Sequence, residues 1–151
     1  MKYPDLTITI LEHCTGILVH RFKRDLICCG GHTLKNLCPL QIYAWLKEMA
    51  QKYDKIATII SAGKSFEGRD LMGLRIAHKP DLPIVFIEAG IHAREWIAPA
   101  TATWIIQQVL NTTSELIKSY EWRVFPSVNP DGYVTTQKVF SQYVLDLPKL
   151  T

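Results

Sequence analysis

Apolar residues recur at Ile42, Trp45, Leu46, Met49 and Tyr53, at steps of three and four. A proline at position 39 suits a first helical turn, so the spacing predicts a helix over about residues 40–53. Three runs of strand character follow: Ile56 to Ser61, Leu71 to His78 and Pro83 to Ala89. The first connection, Gly63 to Asp70, is punctuated by glycine. The second, Lys79-Pro80-Asp81, is turn-like and short enough that antiparallel pairing is expected there. Ile84-Val85-Phe86-Ile87 is continuously apolar, which suits a central strand covered on both faces. Beyond it, Ile97, Ala100, Trp104, Ile105 and Val109 mark the apolar face of a second helix, with Pro99 tolerable only near its start. Strand character resumes from Tyr120 to Val128, and Asn129-Pro130-Asp131-Gly132 reads as a turn, proline fixing φ and glycine supplying positive φ. This alternation predicts an α/β layer architecture, a mixed β-sheet flanked by helices. Residues 1–39 stay unassigned, with short β-like runs at Leu6 to Leu11 and Gly16 to Phe22.

Composition narrows the class. A chain of 151 residues argues for one domain, and 48% hydrophobic residues are enough to build a packed core. The net charge is only +3, without runs of five Lys or Arg or basic stripes interleaved with aromatics, so no nucleic-acid partner is expected. The apolar stretch from Leu6 to Val19 is interrupted by Glu12 and His13, making neither a good signal peptide nor a membrane span, and no membrane partner is expected. All four cysteines (Cys14, Cys28, Cys29 and Cys38) precede position 39, which excludes a chain-wide disulfide framework. Cys28, Cys29 and His32 suggest a metal cluster, but no C-x-x-C spacing supports it, and unpaired or incidentally paired thiols are the plainer reading.

The chemistry concentrates where the apolar strand ends, in Glu88-Ala89-Gly90-Ile91-His92-Ala93-Arg94-Glu95-Trp96. Ligands of open α/β sheets gather beyond the carboxyl ends of the strands, and this segment falls on such a rim. His92 and Glu95, three apart, point the same way from a turn or first helical turn. Imidazole and carboxylate are both zinc ligands, although H-x-x-E on spacing alone is more often an incidental surface pair.

Residues 86–101 closely resemble the zinc-ligand signature of the metallocarboxypeptidases of the carboxypeptidase A/B type. Ile42-Tyr43-Ala44-Trp45-Leu46 is similar to that family's first catalytic-domain helix, Gly63 to Asp70 to its loop between two strands, and Asn129-Pro130-Asp131-Gly132-Tyr133 to its later turn. The resemblance implies the front half of the zinc carboxypeptidase fold. It also implies zinc as cofactor with His92 and Glu95 as two of its ligands, and Arg94 as a substrate-binding donor to peptide carbonyl or carboxylate oxygens. The substrates it implies are peptide or protein C-termini, the activity their hydrolysis, and the location extracellular. For Glu67, Arg69 and Asp70, loop shaping and ion pairing are the better expectation. Trp96, Trp104 and Tyr43 are expected in the core.

The family's third zinc histidine, its general-base glutamate and its donors to the substrate carboxylate belong to later segments that find no match in residues 1–151, so no catalytic residue is assigned. The expected organisation is residues 1–39 unassigned, 40–137 as the first half of the catalytic domain, and 138–151 as a divergent tail. A truncated splice product or an incomplete gene model would give such a chain. The alternative is a non-catalytic carboxypeptidase-like fragment binding peptide, zinc or a protein partner. Asn111-Thr112-Thr113 satisfies the N-glycosylation pattern and is expected on an exposed helix end.

Overall fold

The computed structural model describes residues 6–9 and 39–146; the cysteines, His32 and the run from Gly16 to Phe22 lie outside them. In chain order the elements are β1 (Leu6–Thr9), α1 (Pro39–Lys52), β2 (Ala57–Lys64), β3 (Asp70–Ile76), β4 (Ile84–Glu88), α2 (Ile97–Leu110), α3 (Glu115–Lys118), β5 (Glu121–Phe125) and α4 (Pro130–Asp146). The strands form one mixed sheet in the order β1-β4-β5-β3-β2. Among the described residues, no helix is long and apolar enough to cross a membrane.

β2 and β3 form an antiparallel hairpin, with a register shift between Ser61 and Lys64 where the chain approaches its connecting loop. β3 and β4 do not pair, against the sequence expectation. β5 lies between them, antiparallel to β3 and parallel to β4, so the Lys79-Pro80-Asp81 turn crosses over a strand that arrives later in the chain. A βαβ crossover through α2 and α3 is what inserts it. β1 pairs in parallel with the other edge of β4, so that β4 and β5 both have two hydrogen-bonded neighbours.

The core follows the alternation of the strands. Leu74, Ile76, Val85, Ile87 and Val124 are buried, together with Ile42, Leu46 and Met49 of α1 and Ala98, Ala102 and Ile106 of α2. The continuous apolar run of β4 is therefore covered unequally: Val85 and Ile87 are buried, and Ile84 and Phe86 are only half-buried. α2 also turns a different face inward from the one its largest residues suggest. Small residues at 98, 100 and 102 meet the core and allow close approach, while Ile97, Trp104 and Ile105 stand half-buried at the flanks. Tyr43 is buried, whereas Trp96 and Trp104 are half-buried.

The largest departure from the sequence expectation is α4. Pro130, Asp131 and Gly132 form its first turn, not a loop. Proline is pre-organised for the first helical position, and the Gly132 N–H donates to the Asn129 side-chain oxygen at 3.0 Å, a helix cap. Asn111 ends α2 and is exposed, as expected. Its side-chain oxygen accepts from the Tyr53 hydroxyl at 2.7 Å, and its amide donates to the Gln107 carbonyl at 2.9 Å.

Candidate active site

The segment carrying His92 leaves the sheet at the carboxyl end of β4. Pairing continues one step past the strand, the Ala89 N–H donating to the Phe125 carbonyl and the Val128 N–H to the Ala89 carbonyl, each at 3.0 Å. Gly90 then reverses the chain with φ of 73°, a left-handed conformation that L side chains rarely adopt, and a Cβ there would lie 3.1 Å from the Pro99 ring. A turn closes immediately before α2, with the Glu95 N–H donating to the His92 carbonyl at 3.1 Å and the Ala98 N–H to the Glu95 carbonyl at 3.1 Å.

This turn brings His92 Nδ1 and Glu95 Oε2 to 2.8 Å. The imidazole is well exposed, and Arg94 between them is exposed and makes no side-chain hydrogen bond or ion pair among the described residues. Two donors on one tetrahedral zinc, each about 2.0–2.2 Å from the metal, stand roughly 3.3 Å apart. A spread of a few tenths of an ångström would therefore admit the ion, and the donor set suits zinc as two of its ligands. Among the described residues no group of three His, Cys, Asp or Glu side chains comes together.

The beginning of α4 grips this turn from behind. Asn129 Nδ2 donates to the Ile91 carbonyl at 3.0 Å. Thr136 Oγ1 lies 2.9 Å from the Ala93 carbonyl and accepts the Trp96 indole N–H at 3.2 Å. The Trp96 ring packs at a tilt against Tyr133, centroids 6.1 Å apart.

A second polar cluster sits beside the first, on the loop between β2 and β3. Asp131 accepts from the Ser65 hydroxyl at 2.8 Å and the Glu67 N–H at 2.9 Å, and pairs with Arg69, which also pairs with Glu67. Burial pushes the Asp131 carboxyl up, but the Glu67 amide, the Arg69 guanidinium and the Ser65 hydroxyl outweigh it and hold the group below the ordinary aspartate value. Lys64 pairs with Asp70 at 2.8 Å. The structural role expected for Glu67, Arg69 and Asp70 is what the geometry gives. The roles of Asn129, Asp131 and Thr136 were not read from sequence, although Asn-Pro-Asp at a helix start is a capping signature that could have indicated the first two.

Residues 42–145 match the family described as zinc carboxypeptidase. The chain belongs to the zinc carboxypeptidase family. It is 47% identical over 104 residues to zinc carboxypeptidase A 1 of Drosophila melanogaster, covering 62% of this chain and 24% of that one. It is 40% identical over 100 residues to carboxypeptidase B of Astacus astacus, covering 64% and 33%. Among solved structures, carboxypeptidase A from Helicoverpa armigera superposes with a TM-score of 0.63 at 29% identity, covering 80% of this chain and 32% of the other. Bovine thrombin-activatable fibrinolysis inhibitor, in complex with tick carboxypeptidase inhibitor, gives 0.62 at 33% identity, covering 70% and 35%. The mixed α/β sheet expected from sequence is thus that of the family, and the chain spans about a quarter to a third of the length of these relatives.

Proposed function

We propose that His92 and Glu95 are two of the protein ligands of a catalytic zinc, and that Arg94 donates to a carbonyl or carboxylate oxygen of a peptide substrate. The activity proposed for the site is removal of C-terminal residues from peptides or proteins. The observation that supports this best is the convergence of His92 Nδ1 and Glu95 Oε2 to 2.8 Å, exposed, on the rim where β4 ends. When bound, zinc supplies a Lewis acid and lowers the pKa of its water to about 7. The protein side of the chemistry is positional: the turn holds the two donors on one side of the chain, and the Arg94 guanidinium beside them offers a forked donor set to a carboxylate or carbonyl.

A catalytic zinc takes three protein ligands and the reaction needs a general base, worth about 10²- to 10⁴-fold. Residues 1–151 match neither the third ligand nor the base, so these residues alone are proposed to be inactive, with the non-catalytic alternative, binding of peptide, zinc or a partner, describing them better. An extracellular location is proposed on the family resemblance, and passage through a secretory pathway would then place a glycan on the exposed Asn111 of the Asn111-Thr112-Thr113 pattern.

The test is a zinc titration of the 151-residue chain followed through the His92 imidazole signals, paired with an assay for release of C-terminal residues. Weak, site-resolved zinc binding without peptide hydrolysis is expected. Tight binding that leaves the His92 signals unmoved would overturn the site, and hydrolysis at the rate of an intact family member would overturn the inactivity.

A further inference from the structure

We propose that Asn129 and Thr136 are positioning residues for the His92 and Glu95 pair, holding the ligand turn through its backbone so that its side chains are left for the metal. This rests on the zinc reading above. The two carbonyls that flank His92, those of Ile91 and Ala93, are the ones taken, by the Asn129 amide at 3.0 Å and the Thr136 hydroxyl at 2.9 Å. The residue after Glu95 is held as well, its indole N–H donating to the same Thr136 hydroxyl. Both ligands are therefore bracketed by residues tied to α4, about 40 positions downstream.

The bracket is itself anchored. Asn129 uses its side-chain oxygen to cap α4 at the Gly132 N–H while its amide reaches Ile91, so one planar group sets the distance between helix and turn. Gly132 lets that distance be short: a Cβ there would stand 2.7 Å from the Asn129 amide nitrogen and 2.8 Å from the Ala93 methyl. The Thr136 hydroxyl also lies 2.9 Å from the Tyr133 carbonyl, and since it carries one proton, the Ala93 and Tyr133 carbonyls share it. A neutral bracket on main-chain carbonyls fixes the ligands without adding charge beside the metal. Groups that orient metal ligands from outside the coordination sphere are worth about 10- to 100-fold in affinity.

Asn129→Asp keeps the cap acceptor and removes the donor to Ile91. Thr136→Val keeps the shape and removes the hydroxyl, and Thr136→Ser keeps the hydroxyl. The experiment titrates zinc into each 151-residue variant, reads binding at the His92 imidazole by NMR, and measures the urea midpoint in parallel. Expected are affinities about tenfold weaker for Asn129→Asp and Thr136→Val, with Thr136→Ser within about twofold of the unsubstituted chain. Variants that lower the urea midpoint but bind zinc as before would overturn the proposal, as would Thr136→Ser binding as weakly as Thr136→Val. If Asn129→Asp does not fold, the two Thr136 variants decide. Failure of the zinc reading looks different: the His92 signals of the unsubstituted chain would not respond to zinc at all, and the positioning role would fall with it.

Discussion

The beginning of α4 holds two loops, and it holds them by opposite means. On the loop from Ser65 to Arg69 it spends a carboxylate: Asp131 gathers a hydroxyl, an amide and a guanidinium, and the polar side chains of that loop are consumed by the contact. On the turn from Ile91 to Trp96 it spends neutral groups, two of them on main-chain carbonyls, and His92 and Glu95 pair only with each other among the described residues. The first loop is fastened mainly by its side chains, with one backbone amide, and the second mainly by its backbone, with one indole. A site that must offer side chains to a ligand needs the second arrangement, and the contrast gives a physical reason for the structural role expected of Glu67, Arg69 and Asp70 and the site expected at His92 and Glu95.

The largest expected effect separates the two clusters by what they do. His92→Ala should abolish zinc binding at this site while changing stability by less than about 0.5 kcal/mol, since the imidazole is 60% exposed. Titration and urea unfolding on the same sample check both halves. A large loss of stability with zinc binding intact would reverse the roles assigned to the clusters.

Asp131→Asn should do the opposite, lowering the urea midpoint and leaving a zinc response at His92. The same carboxylate predicts a pH dependence. Asp131 binds protons more weakly in the folded chain than its ordinary value of 3.8, so the stability it contributes is complete above that value and is lost as pH falls through the lower, folded value. Glu121 behaves alike: burial raises its carboxyl, but Arg75 and Arg123 outweigh it and hold it below the usual 4.5. Acid unfolding should therefore begin below about pH 4 and shift when Asp131→Asn is introduced. An acid limb unchanged by that substitution would show that the loop is not held by charge.

How much of this was legible in the sequence follows from the range of each interaction. Periodicity marks α1, α2 and the strands because burial acts at every second or third to fourth residue, and the His92 and Glu95 pair could be read because it spans one turn. The insertion of β5 between β3 and β4 could not be read, since pairing of Leu74 with Val124 is decided by a crossover far along the chain. α4 was hidden by its own first turn: Pro130 and Gly132 are turn residues by habit, and only the cap supplied by Asn129 makes them a helix start. The grip of Asp131 on Ser65 joins residues 66 apart and leaves no local signal.

The smallest expected effect concerns the one large apolar side chain of the first loop. Phe66 stands between Ser65 and Glu67, both engaged by Asp131, yet is itself fully exposed at 104%. Its neighbours fix the backbone, Gly68 closing the loop with its N–H on the Ser65 carbonyl at 3.0 Å, so the phenyl ring has no part in the fastening. Burial is what makes an apolar side chain stabilising, at about 25 cal/mol per Å² removed from water, and here no area is removed. Phe66→Ser should therefore change the urea-derived stability by less than about 0.5 kcal/mol, far less than Asp131→Asn, whose carboxylate holds the residues on either side of the ring. A loss larger than that would mean the loop is packed through its ring, and the distinction between a loop fastened by polar side chains and a turn fastened by backbone would need redrawing.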